Sequence, residues 1–246
     1  MWVVSNTYYV AGEERAAKVN DLFARIARRY DLLNDLQSFG LHRNWKHRVV
    51  NLANVQHHDK ALDLCCGTGD ISFALAAKGA ETVGLDFSRE MLAVAQKRGN
   101  PQPGANPAFI QGDAQKLPFA DASFDIVTMG YGLRNLASWE QGLEEMTRVA
   151  KPGGRILVLD FGKPANSLWR TAYFTHLKMS VPLIGLLFCG NASAYAYILE
   201  SLKHYPAQKG VEAHMHKMGL ARIQTINILG GAMAINFAQK PTSSGR

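Results

Sequence analysis

A glycine-rich segment follows a run of apolar residues that is typical of a buried strand. Residues 61–66 of the 246-residue chain are mostly apolar, and Gly67, Thr68 and Gly69 come next, ahead of a helical stretch. Glycines at a strand-to-helix turn let a ligand approach the backbone closely, and a helix N-terminus presents free N–H groups to an anionic group. The segment therefore predicts a binding loop for a nucleotide-like ligand, formed by these three residues.

The residue types around this loop argue against a dinucleotide. A dinucleotide loop needs a third glycine where this chain has Ser72, and Asp70 would bring a carboxylate close to a pyrophosphate. S-adenosylmethionine has no phosphate, and its amino-acid end carries both an ammonium and a carboxylate. Asp63, Asp70 and backbone N–H groups suit that mixed charge, although Asp70 is also a residue type that caps helices. We therefore expect S-adenosylmethionine as the cofactor, with Asp63 among its contacts.

Two more acidic residues stand at the ends of the next two predicted strands. Asp86 is suited to the two hydroxyls of a ribose, and Asp113 is suited to the amino group of an adenine. Phe87 is either a neighbour of the adenine or a core residue, and Ala114 leaves room for the ring. Because ligands bind at the carboxyl ends of parallel strands, the pattern predicts one cofactor site across three strand ends.

Short apolar runs alternate with longer amphipathic runs from residue 60 onward, which predicts βα units and a parallel sheet. The predicted strands cover residues 60–66, 81–86, 108–112, 124–129 and 155–161, and a closing hairpin covers 221–228 and 232–239 around Gly230 and Gly231. The predicted helices cover 13–52, with a second helical stretch from Leu41 to Leu52, and then 70–79, 88–98, 139–150 and much of 165–205.

These elements indicate one α/β domain. Residues 1–59 form a helical cover that belongs to the domain, residues 60–240 form the cofactor-binding core with a helical insertion at about 165–205, and residues 241–246 are a frayed tail.

Composition narrows the class of protein further. The chain is 47% hydrophobic, carries a formal net charge of +7 and has three cysteines with no CxxC spacing, so we expect a reducing compartment and no metal site. No stretch reaches the roughly 20 apolar residues of a membrane-spanning helix, and the N-terminus lacks the pattern of a signal peptide. Basic and aromatic residues do not alternate as in a nucleic-acid stacking platform, so we expect no nucleic-acid partner.

Four motifs outside the glycine loop carry a resemblance to a known family. They are residues 29–34, residues 38–46, Gly132-Leu133-Arg134-Asn135 and residues 195–201. From about residue 60 to 161 the chain resembles class I methyltransferases, and over residues 19–238 it is similar to the ubiquinone/menaquinone biosynthesis C-methyltransferase family. The resemblance implies a Rossmann-like, seven-stranded, mostly parallel sheet, and methylation of a ring carbon of a prenylated quinol, most directly demethylmenaquinol to menaquinol.

The resemblance also implies particular cofactor positions. The family's cofactor-binding positions fall on Thr68, Asp86, Asp113 and Ala114, and Gly130 stands where the family often has serine. The chain further departs from the family at Cys65, where the first glycine of the loop is common, but a small residue is retained.

Methylation of a ring carbon needs an electron-rich ring, and a quinol supplies one when a ring hydroxyl loses its proton. Arg134 is expected to stabilise the resulting oxygen anion, with a structural ion pair to Asp160 as its alternative role. Asp31, His42 and Asp160 are candidate bases among which the sequence does not choose. Tyr30 and Asp31 are expected to belong to a cover over the cofactor.

A prenyl tail needs an apolar path. Residues 168–189 are rich in apolar side chains and form a tail tunnel, a lip that docks on a membrane, or only a helical cap on the sheet. We expect a cytoplasmic protein, in which the basic stretch 43–48 either forms a solvated basic face or faces anionic headgroups at the inner face of the membrane. A homodimer or a biosynthetic complex stays open, as do two alternative functions: methylation of another lipophilic phenol or acid, and non-enzymatic binding of S-adenosylmethionine or nucleic acid.

Overall fold

The computed structural model describes residues 21, 23–99, 106–189 and 199–242, and within residues 181–189 it describes the backbone alone. Parts of three predicted regions therefore lie outside the described residues: the cover before residue 21, most of the motif at residues 195–201, and the tail from residue 243.

Seven strands form one sheet in the order β3-β2-β1-β4-β5-β7-β6. The strands are β1 (Lys60–Leu64), β2 (Glu81–Asp86), β3 (Ala108–Gln111), β4 (Phe124–Gly130), β5 (Ala150–Phe161), β6 (Ala221–Ile228) and β7 (Met233–Gln239). Strand β7 pairs antiparallel with β5 and β6, and the other pairs are parallel. The predicted seven-stranded, mostly parallel sheet is confirmed, and its strand order reverses between β1 and β4, where open α/β sheets bind their ligands.

The helices connect these strands. They are α1 (Tyr30–Ser38), α2 (Leu41–Leu52), α3 (Asp70–Ala77), α4 (Arg89–Arg98), α5 (Trp139–Val149), α6 (Ser167–Cys189) and α7 (Ala207–Lys217). Two of them begin at a serine whose side chain accepts a backbone hydrogen bond: Ser88 at α4 from Met91 N, and Ser138 at α5 from Gln141 N. Short 3-10 turns occupy residues 27–29, 133–135 and 229–231.

The structure corrects two predicted boundaries. Within the helical region predicted over residues 13–52, α1 ends at Ser38, because Phe39 and Gly40 adopt the left-handed conformation with φ of 52° and 75°. The second stretch, predicted from Leu41 to Leu52, is confirmed as α2. Strand β5 begins at Ala150 rather than at residue 155, so Gly153 and Gly154 lie within the strand. Gly153 has a φ of 77°, and its N–H donates to the carbonyl oxygen of Lys240 at the end of β7.

Both faces of the sheet are covered, and a third apolar cluster ties the N-terminal cover to the insertion. Helices α5 and α7 pack on one face through residues such as Met146 and Val211, and α2 and α3 pack on the other through residues such as Val49 and Leu75. In the third cluster, Leu33 of α1 packs together with Tyr173 and Leu177 of α6. Burying each large apolar side chain contributes about 1.5–3 kcal/mol, so this cluster holds the cover over the carboxyl end of the sheet.

Candidate active site

Three cavities adjoin one another at the carboxyl ends of the strands. A cavity of about 550 Å³ lies between α1, α2, α6 and the β6–β7 turn. A narrower cleft of about 90 Å³ runs along the ends of β1, β2 and β4, and a small recess lies behind the glycine loop. Tyr30 and Tyr131 line all three spaces, and Phe23 lines the large cavity and the cleft. These aromatic side chains therefore form the boundary between two binding regions.

The cleft gathers the acidic residues predicted to hold a nucleoside. Its walls include six of the predicted cofactor residues outside the cover: Gly67, Asp86, Phe87, Asp113, Ala114 and Gly130. The Asp86 carboxylate accepts hydrogen bonds from Gly67 N at 2.8 Å and from Ser88 N at 2.9 Å, and burial raises its pKa above the usual range. Each carboxylate oxygen retains a lone pair, so Asp86 can still accept from two ligand hydroxyls.

Gly69 contributes shape rather than a contact. It has a φ of 85°, and a β-carbon at this position would approach the rings of Phe73 and Phe109 to 2.9 Å. Gly69 lines none of the three spaces. Of the loop glycines, therefore, Gly67 faces the cleft and Gly69 allows the chain to turn into α3.

The recess behind the loop is polar. Asp63 accepts hydrogen bonds from the hydroxyls of Ser72 at 2.6 Å and Thr128 at 2.8 Å, and burial raises its pKa to about 6. Asp70 does not cap α3, whose N-cap is Gly69 without a side-chain hydrogen bond. Instead, its two oxygens bind Lys46 and Arg98, and the recess presents both signs of charge.

Lys46 and Arg98 hold the Asp70 carboxylate. Lys46 Nζ lies 2.7 Å from Asp70 Oδ2, and Arg98 binds the other oxygen. Burial acts to raise the pKa of Asp70, but the two cations outweigh it and hold that pKa well below its usual range. A zwitterionic amino-acid group needs partners of both signs, which Asp63 and Lys46 supply on the walls of the recess.

The large cavity is apolar with a few polar atoms on its walls. Four buried side-chain atoms there have no hydrogen-bond partner among the described residues: Asn34 Nδ2, Gln37 Nε2, His42 Nε2 and the Tyr131 hydroxyl. Trp45 lines the cavity and also packs against the core cluster under α2. An apolar cavity with a few convergent polar groups is the usual form of a site for a small organic ligand.

Arg134 stands on the wall of this cavity and is ion-paired behind it. Its Nη1 lies 2.6 Å from Asp160 Oδ1 and donates to the Tyr131 carbonyl oxygen at 2.6 Å, and its backbone N–H donates to Asp160 Oδ2. The guanidinium carbon lies 4.7 Å from the centroid of the Phe161 ring. The structural pair considered from the sequence is therefore present, and it holds the guanidinium at the edge of the cavity.

The family model of the ubiE/COQ5 methyltransferase family matches residues 10–240. The chain belongs to this family. It is 39% identical over 235 residues to the demethylmenaquinone methyltransferase of Desulfitobacterium hafniense, covering 94% of this chain and 93% of that protein. It is also 39% identical to the ubiquinone/menaquinone biosynthesis C-methyltransferase UbiE of Pseudomonas paraeruginosa, covering 94% and 92%.

The fold also matches solved methyltransferases. The crystal structure of an S-adenosylmethionine-dependent methyltransferase from Thermotoga maritima aligns with a TM-score of 0.63 at 18% identity, covering 90% of this chain and 99% of that one. Membership of the ubiE/COQ5 family makes this protein an S-adenosylmethionine-dependent methyltransferase with a class I fold, as the resemblance implied.

The three candidate bases of the methyltransferase occupy different surroundings. His42 lines the large cavity, whereas Asp31 lines none of the three spaces and accepts a hydrogen bond from Thr68 Oγ1 at 2.8 Å. Thr68 lines the recess, so this bond ties α1 to the glycine loop. Asp160 is buried against Arg134 and also accepts from Phe161 N at 2.8 Å.

The surroundings of Asp113 and Phe87 refine the roles predicted for them from the sequence. Asp113 accepts a hydrogen bond from Gln115 N at 2.8 Å while it lines the cleft, so it shapes its own loop as well. Phe87 is exposed and lines the cleft, which favours its role as a ligand neighbour over core packing.

Sequence reasoning missed Tyr131 and Lys46. Tyr131 has a φ of 61°, a conformation that costs a non-glycine residue about 1–2 kcal/mol, and glycines on both of its sides were the available signal. The basic residues of the stretch 43–48 also point in different directions, which its composition did not reveal. Lys46 turns inward to Asp70, while Arg43 and Arg48 are exposed. Lys46 therefore does not face a membrane surface.

The described part of the chain contains no helix that is both long enough and apolar enough to cross a bilayer.

Proposed function

We propose that this protein methylates a ring carbon of a prenylated quinol with S-adenosylmethionine as donor, converting demethylmenaquinol into menaquinol. The observation that carries the proposal is the shared boundary between the cofactor cleft and the apolar cavity, formed by Tyr30 and Tyr131. A ring held in the cavity would meet the donor methyl at this boundary. The names of the two relatives support the same substrate class.

The walls of the cleft and recess suit each part of S-adenosylmethionine. Asp86 would accept from the ribose hydroxyls, and Asp113 would accept from the adenine amino group beside Ala114 and Phe87. The amino-acid end of S-adenosylmethionine would lie in the recess near Asp63. The backbone N–H groups of the glycine loop would bind the carboxylate of the ligand there.

Gly130 and Gly67 allow the sulfonium end to approach the backbone. A β-carbon at Gly130 would lie 2.8 Å from Ile71 Cδ1, so no larger residue fits there without a shift. Both glycines line the cleft and the recess, and the ligand would pass between these spaces beside them. Tyr30 covers the same passage from the side of α1.

The chemistry needs little from the protein beyond position and charge. S-adenosylmethionine supplies a methyl group on a sulfonium, which is already strongly electrophilic. The chain's own task is to hold the ring against the cleft, exclude water and stabilise the negative charge that develops on the ring oxygen. Arg134 supplies a positive charge on the cavity wall, while Phe161 and Trp45 supply apolar walls.

The mouth of the cavity supports contact with a membrane. Four exposed apolar side chains line it, here called the apolar rim: Phe39, Leu41, Trp169 and Leu229. Phe39 is 85% exposed, which is unusual for a large apolar residue unless something covers it. A prenyl tail leaving the cavity here would enter the acyl chains of a bilayer on which the rim rests.

Exposed basic residues beside the rim would add electrostatic attraction. Arg48 lies on the exposed side of α2, and a Lys or Arg near an anionic surface contributes about 1 kcal/mol. Arg43 is exposed but is paired with Asp35, which reduces its contribution. Peripheral contact at the cytoplasmic face of the membrane is thus part of the proposal, and a homodimer or a biosynthetic complex stays a prediction.

Quinone analysis in cells tests the proposed function. Cells that lack this protein should accumulate demethylated quinone and lose the methylated product, as mass spectrometry of lipid extracts would reveal. Restoring the wild-type gene should reverse both changes, whereas a variant with Asp86→Ala should not. An unchanged quinone profile in the deletion strain would contradict the proposal.

A further inference from the structure

His42 lines the large cavity and has one ring nitrogen with no hydrogen-bond partner among the described residues. It lies in the first turn of α2, its side chain is 2% exposed, and it lines the cavity. Its Nε2 atom is buried and has no hydrogen-bond partner among the described residues. Leaving a buried polar atom unpaired costs about 1–3 kcal/mol, so this nitrogen is better explained by a ligand atom that it meets.

The hydrogen bonds of Ser38 fix which ring nitrogen of His42 carries the proton. Ser38 Oγ lies 2.6 Å from the carbonyl oxygen of Asn34, which can only accept, so the hydroxyl hydrogen points there. His42 Nδ1 lies 2.8 Å from the same Oγ. Because the hydroxyl hydrogen is already engaged, Nδ1 must donate. Nε2 is then the unprotonated nitrogen, on a side chain that lines the cavity.

The charges around His42 keep the imidazole neutral. Burial and the positive charge of Lys46 lower its pKa below the ordinary value, and Arg43 acts in the same direction. Asp35, with Oδ1 3.7 Å from Nδ1, and Asp70 act in the opposite direction but are themselves paired with these cations. Arg134, Tyr131 and His176 also line the cavity. The net result is a neutral ring at neutral pH, with a nitrogen able to take up a proton.

The other two candidate bases lack such an atom at the cavity. Asp31 lies outside the three spaces, bonded to Thr68, and Asp160 is held by Arg134 behind the cavity wall. A base must come within hydrogen-bond reach of the proton that it removes. His42 is the candidate that meets this condition with a lone pair to spare.

We propose that Nε2 of His42 accepts the proton of the ring hydroxyl of the quinol and so acts as the general base of the methyl transfer. This assignment rests on the proposed function, because it requires a hydroxylated ring in the large cavity. Ser38 is a positioning residue, because its hydroxyl hydrogen is donated to Asn34 O and its oxygen orients the ring of His42.

The step balances with water as the final proton acceptor. The hydroxyl proton passes to His42 Nε2, a carbon–carbon bond forms between the ring and the donor methyl, and the methyl–sulfur bond breaks with its electron pair remaining on sulfur. The methylated ring carbon then loses its hydrogen to water as a proton. The ring oxygen takes back the proton from His42, which restores the quinol and the neutral imidazole.

The pH dependence of turnover tests the assignment in the full-length enzyme. Wild-type kcat should fall as the pH drops through the pKa of His42, because the protonated ring accepts no proton. His42→Gln retains polar atoms but not basicity, so kcat should drop at least 100-fold and the acidic limb should disappear. Affinity for S-adenosylmethionine, measured by calorimetry, should stay within twofold of wild type.

Two further measurements guard against a folding artefact. Nitrogen-15 NMR of the histidine rings should show His42 with a protonated Nδ1 and an unprotonated Nε2, and Ser38→Ala should disturb this state and move the acidic limb. His216→Gln on α7, at an exposed histidine that does not line the cavity, should leave kcat and the acidic limb unchanged.

The outcomes separate the two proposals. If wild type methylates the quinol while His42→Gln retains kcat and the acidic limb, the assignment of His42 is overturned and the proposed function survives. A protonated Nε2 in the free enzyme would likewise overturn it. If folded wild type binds S-adenosylmethionine but methylates no quinol, the proposed function fails and the assignment fails with it.

Discussion

Arg134 and Asp160 form an ion pair with 2.6 Å between Nη1 and Oδ1, and both side chains are almost fully buried. The same Nη1 atom binds the carbonyl oxygen of Tyr131, whose N–H donates to Leu159 O at 2.7 Å. The pair therefore does two things at once. It stabilises a strained loop at the end of β4, and it holds a positive charge beside the cavity.

Stability and turnover should respond differently when this pair is replaced. Arg134→Ala leaves Asp160 buried and unpaired, so the free energy of unfolding should fall by about 3–5 kcal/mol. The double variant Arg134→Met/Asp160→Leu removes both charges and should recover part of that loss, but turnover should stay low because no cation faces the ring oxygen. Denaturant unfolding and single-turnover kinetics measure the two effects. Full turnover in the double variant would show that Arg134 is only structural.

Asp86 should carry much of the cofactor affinity. Asp86→Ala removes an acceptor for the ribose hydroxyls, and hydrogen bonds to a charged group contribute about 1.5–3 kcal/mol, so the dissociation constant should rise by roughly 10- to 100-fold. Calorimetry with S-adenosylmethionine measures this, with the exposed Asp121→Ala as a matched control. Unchanged affinity in folded Asp86→Ala protein would remove Asp86 from the site.

Asp63 should make stability depend on pH in an unusual direction. Burial raises its pKa to about 6, so ionisation costs the folded state more than the unfolded chain. The contribution of Asp63 to the free energy of unfolding is therefore fully present below about pH 4. It decreases by about 3 kcal/mol as the pH rises through 6. The difference in unfolding free energy between wild type and Asp63→Asn should change across this interval. A difference that stays constant from pH 4 to 7 would contradict the raised pKa.

The N-terminal cover should become less mobile when the cofactor binds. Helix α1 supplies Tyr30 to the cleft and is tied to the glycine loop by the bond between Thr68 and Asp31. A ligand in this narrow cleft would add contacts to the underside of α1, so its amide hydrogens should exchange more slowly with S-adenosylmethionine present. Amides of α7, on the other face of the sheet, serve as the internal control. Equal exchange in α1 with and without ligand would mean that α1 does not cover the cofactor.

Membrane contact through the apolar rim can be tested with liposomes. Phe39→Asp should reduce sedimentation with anionic vesicles at every salt concentration, whereas Arg48→Glu should matter chiefly at low salt, where charges are poorly screened. Leu32→Asp, at an exposed apolar residue outside the cavity lining, and Lys217→Glu on α7 are the matched controls. If wild-type protein does not sediment with anionic vesicles at low salt, the proposed membrane contact is wrong, and a carrier would have to deliver the quinol.

The sheet, and the grouping of the candidate cofactor residues along one cleft, were predictable because their signals are local. Strand periodicity, the turn at Gly67 and an acid at each strand end lie close together in sequence, and the parallel sheet aligns those ends. The strand order was not predicted from the sequence.

The roles of individual side chains around the cavity were less predictable. The ion pair between Lys46 and Asp70 joins residues 24 positions apart on two different helices, and the tautomer of His42 depends on a serine across the break between α1 and α2. Composition does not reveal such contacts, since an exposed and an inward-facing lysine look alike in sequence. The same limit explains why the sequence did not choose among the candidate bases.

The most direct test is methylation by the purified protein itself. The enzyme would be incubated with S-adenosylmethionine carrying an isotopically labelled methyl group and with reduced demethylmenaquinol in liposomes, with the oxidised quinone and a reduced benzoquinol analogue as parallel substrates. We predict that the label appears on the ring carbon of the naphthoquinol, with an equal amount of S-adenosylhomocysteine, and that the oxidised quinone stays unlabelled because it has no hydroxyl proton to lose. Binding of S-adenosylmethionine without transfer of label to any reduced quinol would contradict the account.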